Sequence, residues 1–144
     1  MEGVLHVAFR VSDPARTAQL FAELLDGEVR PTPLEKWGVA CAYISSNASS
    51  WLQNMLEFWP PDKHWREGRL VDVHPTQQRS YGHVALVSSK SFAEMKPIAD
   101  RYGFLMREED RGMSAPVPVL YDDLGNYYEL FPRSAFPEER EDAL

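Results

Sequence analysis

The sequence has a single cysteine, Cys41. One thiol closes no internal disulfide and builds no cysteine-based zinc site. No stretch of about 18 apolar residues occurs, so no membrane-spanning helix is expected. Basic residues are also in short supply. Fifteen Lys and Arg stand against 22 Asp and Glu, a net charge of −7 that argues against a binder of phosphate backbones. The chain opens directly on Val4-Leu5-His6-Val7. Without a basic segment leading into an apolar stretch there, a cytoplasmic protein is expected.

What is present suits a folded domain. Of 144 residues, 44% are apolar and 26% charged, which excludes a disordered chain. Only Glu138-Glu139-Arg140-Glu141-Asp142 is read as a locally acidic segment, a solvated tail over 134–144.

The chain repeats itself. Leu5–Val11 is an apolar, β-branched run and reads as a strand. Ser12-Asp13-Pro14 offers a cap and a first-turn proline. Ala18, Phe21, Ala22 and Leu25 then form a helical stripe, closed by Gly27 as a C-terminal cap. The second half restates this. Gly82–Val87 is a strand, Ser88–Ser91 supply caps, and Phe92, Met95, Ala99 and Tyr102 make a stripe closed by Gly103. Pro97 is expected to kink this helix or to mark a late start. Strand signals follow each helix: Val39–Ile44 and Leu52–Trp59, then Phe104–Arg107, Val117–Tyr121 and Tyr127–Phe131. Asp122–Asn126 reads as a hairpin turn. The expected architecture is α+β: two βαβββ modules, 1–60 and 81–133, forming curved mixed sheets around a shared cleft. The polar segment 61–80 reads as an irregular connector and possible lid.

Strand parity then selects side chains. His6, Ala8 and Arg10 share one face of the first strand, away from its apolar helix-facing side. His83 occupies the matching place in the second module. Two glutamates sit among apolar residues in late strands, Glu57 51 residues after His6 and Glu129 46 residues after His83. Charged residues in such surroundings need partners. Taken singly, a strand histidine reads as a core or surface residue, and a strand glutamate as a solvated edge. Repetition of both at matched places points to a divalent first-row cation: Ni, Co, Zn, Fe or Mn. Trp59, Tyr127 and Phe131 share parity with the glutamates and are expected to wall a pocket, or equally to pack the core. Arg10 suits an anionic substrate or a local salt bridge. His64 and His74 read as solvated and Cys41 as a small buried residue; Trp37, Trp51 and Trp65 have no assigned place.

These residues resemble the vicinal oxygen chelate superfamily. The resemblance runs from Leu5 to Phe131. It is carried by His6-Val7-Ala8-Phe9-Arg10-Val11, by Gly82-His83-Val84-Ala85, and by Asp122-Asp123-Leu124-Gly125-Asn126-Tyr127-Tyr128-Glu129-Leu130. Within it, the His/Glu/His/Glu set looks most like glyoxalase I. The resemblance implies one metal held by His6, Glu57, His83 and Glu129, with two positions left for substrate oxygens. It also implies a substrate-binding role for Arg10. The implied chemistry is a glyoxalase-like lyase or isomerase reaction on a small α-hydroxy-carbonyl or thioester substrate, through an enediolate. Glu129 is the favoured base on the family's pattern, with Glu57 the other choice. A homodimer is implied, because half-sites in short two-module members are often completed by different chains. Two alternatives remain at this point: a non-catalytic drug-binding protein of the bleomycin-resistance kind, and an iron-dependent extradiol-type dioxygenase.

Overall fold

The computed structural model describes residues 6–44 and 54–135. Leu5, Trp51, Leu52 and the acidic run from Glu138 lie outside the described residues.

Each module builds its own four-stranded sheet. The first has β1 (His6–Arg10), α1 (Pro14–Leu24), β2 (Glu28–Val29), β3 (Ala40–Tyr43) and β4 (Met55–Trp59), in the sheet order β1-β4-β3-β2. A hairpin follows, β5 (Lys63–Arg66) and β6 (Arg69–Asp72). The second module has β7 (His83–Ser88), α2 (Phe92–Tyr102), β8 (Leu105–Glu109), β9 (Val117–Tyr121) and β10 (Tyr127–Pro132), in the order β7-β10-β9-β8. In both sheets the first strand pairs parallel with the last, and every other pairing is antiparallel. The expected α+β pair of repeats is therefore the fold.

Local chemistry starts both helices where the sequence signals it. Asp13 caps α1, its carboxylate accepting the Arg16 N–H at 3.0 Å, with Pro14 in the first turn. Ser91 caps α2 in a reciprocal box with Glu94. That box places the start at Phe92. Pro97 thus lies inside the helix and marks no late start; it forgoes one bond to the Ala93 carbonyl, while Met95 and Ala99 beside it are fully buried.

Three further expectations are corrected. Gly27 closes α1 only through its N–H, which donates to the Ala22 carbonyl at 2.8 Å. The helix ends at Leu24, Leu25 is its cap, and Asp26 takes the positive φ of 53°. Gly27 is needed because its α-carbon lies against the Tyr43 carbonyl, which a Cβ would overlap. Gly27→Ala is expected to lower thermal stability by about 2 kcal/mol or more, read as a drop in melting temperature, because the obstacle is backbone. Segment 61–80 is irregular only in part: residues 63–72 form the β5–β6 hairpin, turned by Glu67 (φ 51°) and Gly68 (φ 79°), the conformation of a tight two-residue loop. And the first module gains β2, two exposed residues, Glu28 and Val29, too short a segment to read as a strand.

One core joins the modules. Phe21 of α1 stacks on Phe58 of β4 at 5.3 Å and meets Tyr128 of β10 at 4.7 Å, while Phe9 of β1 meets Tyr128 edge-on at 5.0 Å. All four rings are buried, and each is worth about 2 kcal/mol in apolar burial. This core occupies the helix side of both sheets, leaving the opposite faces for His6, Glu57, His83 and Glu129.

Candidate functional site

In the first module, parallel pairing sets Ala8 opposite Glu57 and His6 opposite Met55. Parity then puts His6 and Glu57 on the face away from the helix. His6 Nε2 stands 3.8 Å from Glu57 Oε2. Glu57 is buried, only 6% exposed. Its other oxygen, Oε1, accepts the Trp59 indole N–H. Cys41 lies opposite Glu57 on β3. Burial first, then the Glu57 charge, push its thiol up to about 11, so it stays protonated and is no nucleophile.

The second module reproduces the register. Ala85 faces Glu129 and His83 faces Tyr127. His83 Nε2 is 3.1 Å from Glu129 Oε2, and its ring lies flat on Tyr127 at 4.1 Å. The second oxygen of Glu129 meets a cation rather than an indole: Arg111 Nη1 is 3.9 Å from Oε1, and Arg111 also pairs with Glu109 at 2.9 Å.

The four residues thus form two matched pairs. Among the described residues no group of three or more metal-ligating side chains occurs. Each pair nonetheless suits a cation. Two ligands about 2.1 Å from one ion, on adjacent coordination positions, stand roughly 3.0–3.4 Å apart; the His83–Glu129 pair, at 3.1 Å, falls in that range, and the His6–Glu57 pair, at 3.8 Å, is wider than it. Neutral imidazole and carboxylate are the donors a first-row divalent ion takes.

Glu57 of the first pair borders a cavity of ≈ 320 Å³ that Arg10, Trp59, Lys63, His64 and Trp65 also line. Arg10 donates to the Arg79 carbonyl at 3.0 Å. Trp37 and Trp65, which the sequence leaves unassigned, complete an aromatic cluster: Trp37 stacks on Trp59 at 6.1 Å and takes Trp65 edge-on at 5.3 Å. Tyr127 is part of the second pair's surroundings, whereas Phe131 opens on a separate cavity of ≈ 350 Å³ with Phe92 and Met113. His64 is exposed on the cavity rim; His74 is exposed elsewhere and bonds Thr76.

Sequence reasoning missed Arg111, concealed in a charged stretch, and Asn126, concealed in a turn. Asn126 is fully buried. Its Oδ1 accepts the Gly82 N–H at 2.7 Å, and its Nδ2 donates to the Arg10 carbonyl at 2.8 Å and to Asp122 at 2.7 Å. It therefore ties the end of β1 to the residue preceding His83.

No family model matches the chain, and no curated protein does. Solved structures do. The fosfomycin resistance protein FosX of Mesorhizobium loti is 19% identical, with 90% of this chain and 91% of that one aligned at a TM-score of 0.56. A point mutant of FosX of Listeria monocytogenes, crystallised with Mn(II) and 1S,2S-dihydroxypropylphosphonic acid, is 18% identical over 91% and 90% at 0.56. A member of the glyoxalase/bleomycin resistance protein/dioxygenase superfamily from Sphaerobacter thermophilus is 15% identical over 90% and 96% at 0.55. At these identities the likeness is one of fold.

Proposed function

We propose that this chain, which has the fold of the glyoxalase/bleomycin resistance/dioxygenase proteins, is a divalent-metal enzyme of the vicinal oxygen chelate type. It acts on a small substrate bearing neighbouring oxygens, by a glyoxalase-like lyase or isomerase reaction. The observation that carries this reading is the pair of His–Glu couples in identical register, His6 with Glu57 and His83 with Glu129. Nothing in core packing calls for a histidine two positions before the residue facing a strand glutamate, twice over.

Two donors per module make half of a four-ligand shell. The couples do not meet within the described residues of one chain, so a second copy completes the site. The face around His83 suits such a partner, since Ala85 and Val87 beside it are exposed. Light scattering is expected to give a dimer; a monomer that binds metal at full affinity sinks this arrangement.

His6, Glu57, His83 and Glu129 would hold the ion, which supplies positive charge beside a substrate oxygen and acidifies the adjacent C–H. The protein's own residues do the rest. Glu129, the base that the family resemblance favours, takes the proton and returns it to the neighbouring carbon. Trp59 and Trp65 keep bulk water from the reacting centre, and Arg10 receives an anionic part of the substrate. The test is turnover of α-hydroxy-carbonyl and thioester substrates in deuterated water with Ni, Co, Zn, Fe or Mn. Deuterium at the α-carbon supports the reading, and product without it counts against it.

The FosX likeness favours a second reading, Mn(II)-dependent modification of a phosphonate antibiotic. Fosfomycin consumption with Mn(II), and none of the isotope exchange, distinguishes it.

Trp59 holds the Glu57 carboxylate from behind. Trp59→Phe keeps the ring and removes the donor, and is expected to weaken metal binding about tenfold, measured by calorimetry.

A further inference from the structure

The cavity over the first half-site has features that holding an ion does not require. Trp59 lies almost parallel to Trp37, at 19°, and Trp65 stands at 88° to it. The Trp59 and Trp65 planes are therefore close to perpendicular, and both border the same space. They form a corner of two apolar faces. Trp59 is nearly buried, but Trp65 leaves 43% of its surface in water. An indole so exposed, on a hairpin held over a cavity, is surface available to a ligand.

Two cations and one carboxylate border the cavity. Lys63 is neutralised by Asp72. Among the described residues the Arg10 guanidinium has the neutral Arg79 carbonyl as its hydrogen-bond partner and no carboxylate within ion-pair reach. Glu57 is already engaged by Trp59 and His6. Glu57 remains an anion but is buried, so the cavity carries one buried carboxylate and, among the described residues, one cation without a carboxylate partner, Arg10. At ≈ 320 Å³ the space sits at the small end of ligand pockets, enough for one ring and its substituents.

We propose that this corner binds a small aromatic carboxylate, its ring against Trp59 and Trp65 and its carboxylate toward Arg10. As a statement about substrate the proposal rests on the metal-enzyme reading; as a statement about binding it does not. The hairpin that carries Trp65 then sets specificity.

The experiment is calorimetric titration of the full chain, stripped of metal with EDTA, using benzoate, cyclohexanecarboxylate and benzyl alcohol. Benzoate is expected to bind about fivefold or more tighter than the saturated acid. Trp65→Leu should remove that preference, and Trp65→Phe should retain most of it. Arg10→Gln should weaken benzoate about tenfold without weakening the alcohol. Equal affinity for the two acids, an unaltered preference in Trp65→Leu, or no binding of benzoate in the millimolar range each overturns the proposal. Trp65 lies on an exposed hairpin, and the Phe variant keeps the test open should Leu disturb folding. Metal titration of the same preparation separates the two readings: benzoate binding without metal binding leaves the corner and removes the enzyme, and the converse removes only the corner.

Discussion

Alanine at position 126 is expected to lower the unfolding free energy by about 3 kcal/mol. Three partners lose their bond at once: the Gly82 N–H, the Arg10 carbonyl and the Asp122 carboxylate. Asn126 is fully buried, so water does not readily replace the side chain. Each orphaned buried group costs about 1–3 kcal/mol. The effect reaches further than Asn126 itself. Burial already raises the Asp122 carboxyl above the usual carboxylate range, and its bonds to Asn126 and Tyr128 oppose that shift. Losing one of them leaves the group with less support. Urea unfolding should show a lower midpoint at an unchanged slope. A midpoint shift worth under about 1 kcal/mol would show that the link between β1 and β7 is not held by this amide.

The second large effect concerns the metal. His83→Ala and His6→Ala are each expected to weaken divalent-ion binding by about a hundredfold or more, since each removes a ligand outright. His74→Ala, remote and exposed, should leave it unchanged. The two damaged chains tested together say more than either alone. If a site takes its first couple from one copy and its second from another, a heterodimer of the two variants regains one intact site. Random reassortment then restores about a quarter of the wild-type sites. If all four ligands come from one chain, mixing restores none. Elemental analysis after unfolding, mixing and refolding reads the answer directly.

Much of this arrangement was legible in the sequence, for a definite reason. Side chains alternate strictly along a strand, so His6 and Arg10 were separable from Val7 and Phe9 without coordinates. The second module then repeated the pattern at His83 and Glu129. Start signals were equally local: Asp13 with Pro14, and Ser91 with Glu94. What escaped notice lacked such a signal. β2 is two exposed residues. The β5–β6 turn uses Glu67-Gly68, where asparagine or aspartate would have announced a hairpin. The role of Gly27 depends on a carbonyl 16 residues further along the chain, at Tyr43. Arg111 meets Glu129 across 18 positions of sequence, and Trp37 joins Trp59 and Trp65 only once three separate segments have folded. Pattern reading finds what repeats locally, and contacts made by closure of the chain lie beyond it.

The parallel pairing of first and last strands carries one more consequence. His6 comes beside Glu57, and His83 beside Glu129, only when the last strand of each module has been laid against the strand that opened it. Neighbouring strands can zip early through nearby contacts, but this closure joins positions roughly half a module-pair apart and belongs to the late, entropically expensive part of folding. An unfolded or half-folded chain therefore offers an ion no paired donors. Saturating cation should then act on the finished state alone, raising its resistance to denaturation in proportion to the logarithm of ion concentration.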